Sequence, residues 1–363
     1  MPAVFLTGFP GFLGSALVER LLDRYPTNTT LDCLIQAKFR PLAEQHVENI
    51  ESADPKRVGR IRLFDGDITI PGLGLGERYA ELQQETVEIY HLAAVYDLGV
   101  KRDLALRVNV DGTHYVLEFA LGCPNLKRFQ YVSTCYVSGH YTGIFSENDL
   151  AKGQDFNNYY EETKYLAEVE VQDKMRRGLP TTIYRPAIVV GDSQTGATQK
   201  YDGAYYFLQL LARQRRIAFI PTVGHLRYEF NVVPRDYVID ALTYLSGLEV
   251  SVNQVYHLSD PGAPTVDGLL KIFAQATGRR VVRIPTTKWL AKNTVKYVPG
   301  AQKLLKVEPE GIDYYLHPTL YTCENTLRDL KGSGIACPPL ALYADKLVAF
   351  YQAHPEITPA AMV

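Results

Sequence analysis

The chain has 363 residues, enough to bury a large hydrophobic core and to form one main domain with a smaller lobe. Its formal net charge of -2 argues against a binding face for nucleic acid or for an anionic membrane. No apolar run reaches the length of a membrane span, the N-terminus lacks a signal-peptide pattern, and the five scattered cysteines form no C-x-x-C pair. We therefore expect a cytoplasmic protein with reduced thiols, no membrane span and no metal site.

Short apolar runs typical of buried strands alternate with helical patterns in the first half of the chain. Strands are predicted at residues 3–6, 31–36, 61–67, 87–92, 129–133, 181–185 and, after a gap, 255–258. Helical spacing of apolar residues follows the first strand and recurs over 109–121 and 159–177. Because parallel strands need crossover helices, this alternation predicts an α/β fold with a doubly wound parallel sheet of the Rossmann type.

A glycine-rich turn, T-G-F-P-G-F-L-G, joins the first strand to the first helix. Its first glycine can adopt a backbone conformation closed to other residues, the second lets the main chain approach a pyrophosphate, and the third lets helix and strand pack closely. The helix N-terminus then presents free N–H groups to the anion. The spacing G-x-x-G-x-x-G is not the commoner G-x-G-x-x-G, and a tight turn without a ligand would look similar. The predicted cofactor contacts in this turn are Thr7, Gly8, Phe9, Pro10, Gly11, Phe12, Leu13 and Gly14.

The end of the second strand predicts which dinucleotide is bound. An acidic residue here would bind the adenosine ribose of NAD, but the strand runs into Gln36 and is followed by Lys38 and Arg40. A 2′-phosphate needs cationic donors, so NADP(H) is favoured over NAD. The alternative is that both cations belong to a solvated basic turn.

Two further strand ends predict contacts to the same cofactor. Asp67 follows the third strand and is placed to accept from the adenine amino group, while Ile68 packs on the ring. An ordinary loop aspartate explains Asp67 nearly as well. Ala93 and Ala94 follow the fourth strand and are small enough for the cofactor backbone to lie close.

A phenol and an ammonium, Tyr160 and Lys164, stand four residues apart on a predicted helix and therefore share one face. A nearby ammonium and an oxidised nicotinamide would both lower the pKa of a phenol, so that Tyr160 can serve as general acid or base. Such a pair is common by chance. Ser133 and Thr134 strengthen the catalytic interpretation of this pair. They end a predicted strand, where a parallel sheet presents its ligand crevice, and their hydroxyl groups can hydrogen-bond a substrate oxygen.

Together these residues resemble the extended short-chain dehydrogenase/reductase superfamily over most of the chain. The turn at 7–14 matches the glycine motif of that family, and Tyr160 and Lys164 match its catalytic pair. Counted back from Gly139, Thr134 stands at the catalytic hydroxyl position, with Ser133 beside it. The resemblance also implies that Asn109, within R-V-N-V-D-G-T, supports the active site.

A narrower resemblance is to the branch that holds fatty acyl-CoA reductases and the thioester reductase domains of carboxylic acid reductases. The glycine turn, V-S-T, Y-R-P-A-I-V-V-G-D-S and N-V-V-P-R-D-Y-V carry it. Members of that branch use NADPH to reduce an acyl thioester to an aldehyde, sometimes on to an alcohol. The branch usually has an arginine where this chain has Gln36, so Lys38 and Arg40 must supply the 2′-phosphate contact. The resemblance implies four more cofactor contacts, Arg185, Pro186, Ala187 and Ile188.

The second half of the chain predicts a smaller C-terminal substrate-binding lobe built from discontinuous segments. Residues 192–203 read as a long loop, which in a compact domain usually means function or mobility. A helix is predicted over 338–351 and a loose tail after Pro355. We expect residues 1–190 and 228–260 to form the NADP-binding Rossmann domain, and residues 191–227 and 261–363 to form the lobe.

The leading hypothesis is an NADPH-dependent oxidoreductase that reduces a carbonyl or acyl thioester of a small, apolar substrate. Thr134 and Tyr160 would stabilise and protonate the oxygen while hydride passes to the carbon. Aromatic residues such as Tyr205, Tyr206, Phe207 and Trp289 could cover an acyl chain, although core packing explains each of them singly. The alternatives are a secondary-alcohol dehydrogenase of the hydroxysteroid kind, a sugar-nucleotide epimerase, or an NADP-binding sensor without chemistry. Monomer and homodimer remain open.

Overall fold

The structure is a computed structural model that describes residues 1–97, 99–223, 226–287, 289–290, 293 and 316–357. The predicted tail lies outside these ranges from residue 358 onward. Its strands are β1 (Ala3–Thr7), β2 (Thr30–Ile35), β3 (Ile61–Asp65), β4 (Thr86–His91), β5 (Arg128–Val132), β6 (Gly143–Phe145), β7 (Thr181–Pro186), β8 (Ile188–Val190), β9 (Ile217–Val223), β10 (Val232–Pro234), β11 (Val255–Leu258), β12 (Arg280–Thr286) and β13 (Thr319–Tyr321).

The helices lie between these strands and after them. They are α1 (Phe12–Arg24), α2 (Arg40–Ala53), α3 (Arg78–Glu85), α4 (Arg102–Ala105), α5 (Gly112–Leu121), α6 (Tyr159–Arg176), α7 (Tyr205–Ala212), α8 (Arg235–Ser246), α9 (Val266–Ala276), α10 (Glu324–Asp329) and α11 (Ala344–Ala353). No helix in the described ranges is both long and apolar enough to cross a membrane.

Seven parallel strands form the central sheet in the order β3-β2-β1-β4-β5-β7-β11. Every residue of β1, β2, β5 and β7 is buried, because helices cover both faces of the sheet. The strand order reverses between β1 and β4. In an open parallel sheet this reversal opens a crevice at the carboxyl ends of the two strands. The predicted α/β class and the doubly wound sheet are confirmed.

Two hydrophobic clusters pack on opposite faces of the sheet. One cluster contains Leu17 and Leu21 of α1 with Leu242 of α8, and the other contains Phe119 of α5 and Val171 of α6. Both arise from helices whose apolar residues recur three or four positions apart, which gathers them on one face. The sheet is therefore held between two layers of helix.

A third hydrophobic cluster lies outside these layers and confirms the smaller C-terminal lobe. It joins α7, β9, α9 and α11, which are far apart in sequence, through buried side chains that include Leu208, Ile220, Phe273 and Leu347. Strands β9 and β12 pair in parallel beside it. The boundaries proposed for the two domains stay a prediction.

Most predicted elements begin and end within a few residues of the observed ones, and two differ for physical reasons. The helix predicted from residue 109 begins as α5 at Gly112, because a π-helical turn occupies Leu106–Asp111. The helix predicted over 338–351 starts only at Ala344, because each of Pro338 and Pro339 disfavours the helical conformation in the residue before it and a 3-10 turn occupies Leu340–Leu342. The predicted loop at 192–203 is confirmed, with no helix or strand between β8 and α7.

Candidate functional site

A deep cleft opens at the carboxyl ends of β1, β4 and β5, where the strand order reverses. Its volume of about 610 Å³ is within the range of small-molecule sites in proteins. Residues after β2 and β3 line it on one side of the glycine turn, residues after β4 and β5 line it on the other side, and the start of α6 and the loop at 192–203 also contribute. Residues from both halves of the chain therefore share one cavity.

All eight residues of the glycine turn, predicted to contact the cofactor, line the cleft. Gly8 has φ +99°, and a Cβ there would lie 2.9 Å from Cβ of Leu92, so a side chain would be both strained and obstructed. A Cβ on Gly14 would lie 2.3 Å from the carbonyl oxygen of Gly8, which explains the close packing of α1. Gly11 is the N-cap of α1, with no side-chain cap and no acidic residue in the first turn. The helix N–H groups thus suit a pyrophosphate.

The predicted adenosine end of the cleft is built mostly as expected. Lys38, Asp67 and Ile68 line it. The amide of Gln36 donates to Oδ2 of Asp67 at 2.8 Å, and the N–H of Thr69 donates to Oδ1 at 2.8 Å. Asp67 is therefore held in place by its neighbours, with acceptor capacity left for a ligand. Ala93 and Ala94 also line the cleft.

Arg40 requires a correction, because its side chain does not line the cleft. Its Nε donates to Asp65 at 3.0 Å, and its other nitrogens reach Glu44 and the carbonyl of Leu63. As the first residue of α2 it is directed along the edge of β3. Of the two predicted cations, only Lys38 is at the cleft.

The residues predicted for catalysis come together in the middle of the cleft. Ser133 and Thr134 follow β5, and Tyr160 and Lys164 stand on the first turns of α6, whose N-cap Asn158 accepts from the N–H of Glu161 at 3.0 Å. Thr134 also accepts from the N–H of Tyr136 at 3.2 Å, which holds its hydroxyl at the turn. This hydroxyl is hydrogen-bonded with the phenol of Tyr160. Two hydroxyl groups therefore converge on one point of the cavity.

The pKa of Tyr160 is raised in the structure, whereas the sequence analysis expected a nearby ammonium and an oxidised nicotinamide to lower it. Burial raises the pKa of its phenol, and the hydrogen bond with Thr134 lowers that pKa to a smaller extent. The negative charge of Asp202 acts in the same direction as burial. The phenol is consequently neutral near pH 7 and able to donate a proton.

Lys164 is fully enclosed and makes specific contacts below the cleft. Its Nζ donates to the phenol oxygen of Tyr131 at 3.0 Å and to the carbonyl of Val132 at 2.9 Å. Burial lowers the pKa of Lys164 to about 7, while the charge of Glu168 raises it. The ammonium thus joins α6 to the end of β5, next to Ser133.

Asn109, which the family resemblance implied as a support of the active site, is buried behind the cleft. Its side chain accepts from the N–H of Val95 at 2.8 Å and donates to the carbonyl of Val95 at 3.0 Å. It also donates to the hydroxyl of Thr163 at 3.0 Å. Because Thr163 lies between Tyr160 and Lys164, Asn109 couples α6 to the loop that follows β4.

Arg185 is a second correction, since it is completely buried and does not line the cleft. It forms an ion pair with Glu168 at 2.6 Å and contacts Nε2 of His257 at 3.0 Å. The hydroxyl of Ser133 donates to the same carboxylate at 2.5 Å. Arg185 therefore belongs to the support of α6, whereas its neighbours Pro186, Ala187 and Ile188 do line the cleft.

Several lining residues were not singled out from the sequence. They are contributed by separated segments and include Tyr96, Arg107, Tyr136, Thr198, Lys200, Asp202 and Phe230. Lys200 and Asp202 lie in the loop at 192–203, whose unusual length was the signal in the sequence that could have drawn attention to them. Among the aromatics considered for the substrate end, Tyr206 lines the cleft, whereas Trp289 is 73% exposed and does not.

Comparison with known proteins identifies the family. A family model described as "Male sterility protein", an NAD-binding family, matches residues 6–242. The non-canonical nonribosomal peptide synthetase cpsA of Aspergillus campestris is 28% identical over 357 residues, which cover 90% of this chain and 34% of that protein. The fatty acyl-CoA reductase wat of Drosophila melanogaster is 28% identical over 274 residues, which cover 66% of this chain and 53% of the relative.

Solved structures agree with these sequence relatives. The terminal R domain from the myxalamid PKS-NRPS biosynthetic pathway superposes with a TM-score of 0.82 and 26% identity, covering 99% of this chain and 92% of that domain. The chain spans about a third to a half of the length of the two curated relatives described above. It belongs to the NAD-binding male sterility protein family, within the fatty acyl-CoA reductase and thioester reductase branch of the extended short-chain dehydrogenases/reductases, which are NAD(P)-dependent oxidoreductases.

Proposed function

We propose that this protein uses NADPH to reduce a carbonyl group, that of an acyl thioester in particular. The observation that supports this most is that Thr134, Tyr160 and Lys164 share one cavity with the glycine turn. The names of the relatives, which include a fatty acyl-CoA reductase, support the thioester as substrate.

The residues divide the chemical work between them. Bound NADPH supplies a hydride to the carbonyl carbon. The hydroxyls of Thr134 and Tyr160 hold the carbonyl oxygen, and because the phenol is neutral near pH 7, it gives its proton to the oxygen as negative charge develops there. From a thioester, the tetrahedral product then loses the thiol and leaves an aldehyde. Lys164 fixes the position of α6 through its hydrogen bonds to Tyr131 and Val132.

Ser133 and Asn109 are proposed as positioning residues. Ser133 donates to Glu168 and Asn109 donates to Thr163, so both act on α6 and not on the substrate. They hold Tyr160 and Lys164 in register with Thr134.

NADPH is preferred to NADH in this proposal because of Lys38. This lysine lines the adenosine end of the cleft, no carboxylate ends β2, and Gln36 is engaged with Asp67. An ammonium there favours the 2′-phosphate that distinguishes NADPH.

The test is turnover with a defined panel of carbonyl compounds. Acyl-CoA thioesters, aldehydes and ketones are supplied with NADPH, cofactor absorbance is followed, and products are identified. We expect oxidation of NADPH with an acyl-CoA and formation of the aldehyde or alcohol. Binding of NADPH without turnover of any carbonyl would rule out the reductase.

A further inference from the structure

The cleft contains an ion pair at the end opposite to the adenosine contacts. Nζ of Lys200 lies 2.9 Å from Oδ2 of Asp202 and 4.4 Å from the ring centroid of Tyr96. The side chain of Lys200 is 10% exposed and that of Asp202 is 29% exposed, and all three residues line the cavity. The pair is therefore partly withdrawn from water beside the space that a substrate would fill.

The loop that carries this pair is anchored to the C-terminal helix. Tyr201, between the two charged residues, is completely buried, contacts the ring of Tyr351 of α11 edge to face and donates its hydroxyl to the carbonyl of His354 at 3.0 Å. A Cβ on Gly196 would lie 2.2 Å from the carbonyl of Lys346, so the loop backbone packs directly on α11. Tyr201 thus fixes the loop on α11, while its two neighbours, Lys200 and Asp202, line the cleft.

The remaining lining at this end is largely apolar or aromatic, with Ile188, Tyr206 and Phe230 around the pair. A saturated alkyl chain placed here would remove water from two charges and return no hydrogen bond, which is unfavourable. A hydroxyl group on the chain can accept from the ammonium or donate to the carboxylate, and so replaces the lost water. Thr134 and Tyr160 line the same cleft as this pair, so a hydroxyl bound by the pair and a carbonyl bound by the two hydroxyls would belong to one substrate.

We propose that Lys200 and Asp202 are specificity-determining residues that favour hydroxylated acyl groups over saturated chains of equal length. This inference rests on the proposed reductase function and defines the substrate that the same cavity selects.

The experiment compares thioesters that differ only in the hydroxyl group. Values of kcat/KM with NADPH are measured for octanoyl-CoA and for its β-hydroxy and δ-hydroxy derivatives. We expect the protein to prefer one hydroxylated thioester by about tenfold, the effect of one hydrogen bond to a charged group. In Lys200→Met and Asp202→Asn that preference should fall to within about twofold, again because one such bond is lost.

A matched control exists outside the cleft. Lys152 pairs with Asp149 at 3.0 Å and lies 5.2 Å from the ring centroid of Tyr141, which repeats the lysine–aspartate–tyrosine arrangement at a partly exposed position. Lys152→Met should leave the preference unchanged. Thermal unfolding of each variant verifies that it is folded.

Two results would overturn the inference. One is equal kcat/KM for plain and hydroxylated thioesters in the unaltered protein. The other is an equal loss for all substrates in Lys200→Met, which indicates that the pair only anchors the loop. Affinity of the same thioesters for the NADP⁺-loaded protein is measured in parallel. If the protein turns over no thioester but binds hydroxylated thioesters more tightly than saturated ones, the proposed reductase activity is contradicted and the proposed selectivity is supported. If it binds both kinds of thioester equally well, the proposed selectivity is contradicted.

Discussion

Among single residues, Tyr160 has the phenol to which the proposed mechanism assigns proton donation. Its phenol is buried, and burial raises its pKa because a phenolate would lose hydration. Reduction needs a proton donor at the carbonyl oxygen, whereas oxidation needs a base at the same place. A phenol that stays protonated at neutral pH therefore suits reduction.

The first prediction concerns this phenol. Tyr160→Phe should lower kcat by about 100-fold or more, since general acid catalysis contributes on that order, while the affinity for NADPH stays the same. Initial-rate assays measure kcat, and cofactor fluorescence measures the affinity for NADPH. Tyr159→Phe is the control, because Tyr159 precedes it on α6 and is 45% exposed. Retention of turnover in Tyr160→Phe would assign the proton donor to another group.

The second prediction separates the two cations after β2. Lys38→Ala should raise KM for NADPH by about tenfold and leave KM for NADH unchanged, because one charge-assisted contact to the 2′-phosphate is lost. Arg40→Ala should change neither value appreciably, since Arg40 is engaged with Asp65. If the two variants had the opposite effects, Arg40 would turn toward the cofactor on binding.

At the scale of elements, α6 is the helix on which the site depends. Its first turns carry Tyr160 and Lys164, and its buried face is held by Asn109 from one side and by Glu168 from the other. Glu168 joins α6 to β7 through Arg185 and to the end of β5 through Ser133. The catalytic geometry therefore follows from where this one helix lies on the sheet.

The third prediction is a loss of stability when this connection is cut. Arg185→Leu should lower the free energy of unfolding by about 3–5 kcal/mol, because Glu168 would be left charged and buried without its partner. Urea unfolding measures the change. Replacing both residues by leucine should recover part of the loss.

A surface pair provides the comparison for this variant. Arg20 and Asp240 join α1 to α8 at 2.9 Å with both side chains well exposed. Arg20→Leu should cost at most about 1 kcal/mol, since solvent screens such pairs. Equal losses in Arg20→Leu and Arg185→Leu would contradict the role assigned to the buried pair.

For the whole molecule, buried histidines set the response to acid. His91, His257 and His317 are almost wholly enclosed, and burial lowers the pKa of each, to about 3 for His91 and His317 and well below the ordinary value for His257. The unfolded chain protonates these residues near pH 6.5, but the folded chain does not. Unfolding therefore takes up protons below pH 6.5, and stability falls as the pH falls through this window.

The fourth prediction follows from that sign. Between pH 7 and about pH 5.5 the free energy of unfolding should fall by about 2–4 kcal/mol, the upper value being three histidine protons without compensation. Buried carboxyls such as Glu147, whose pKa burial raises, keep protons in the folded state and offset part of this loss. Urea unfolding at several pH values gives the slope.

Two substitutions test the origin of this slope. His91→Gln should reduce it by about one third, because one of three protons is removed. His354→Gln should leave it unchanged, since His354 is 47% exposed. A free energy of unfolding that stays constant between pH 7 and 5.5 would contradict the assignment.

The sequence by itself determined the elements whose causes are local. Apolar runs and helical spacing predicted the strands and helices. The glycine turn predicted where the cleft begins, and the four-residue interval predicted that Tyr160 and Lys164 share one helix face. The fold class, the family and the kind of enzyme in that family followed from these patterns, because strand–turn–helix units impose their own geometry. The residues lining the cleft from Thr7 to Gly14 follow directly from that unit.

Tertiary structure alone decided which polar side chains face the cleft. Lys38 and Arg40 are two residues apart, yet only Lys38 lines it, because Asp65 on a neighbouring strand engages Arg40. The family resemblance implied Arg185 as a cofactor contact, but the ion pair with Glu168 of α6 holds its side chain in the interior. Lys200 and Asp202 line the cleft, and the residue between them, Tyr201, packs on α11, about 150 residues further along the chain. Long-range partners of this kind leave no local pattern in a sequence, and they set charge, burial and pKa at the site.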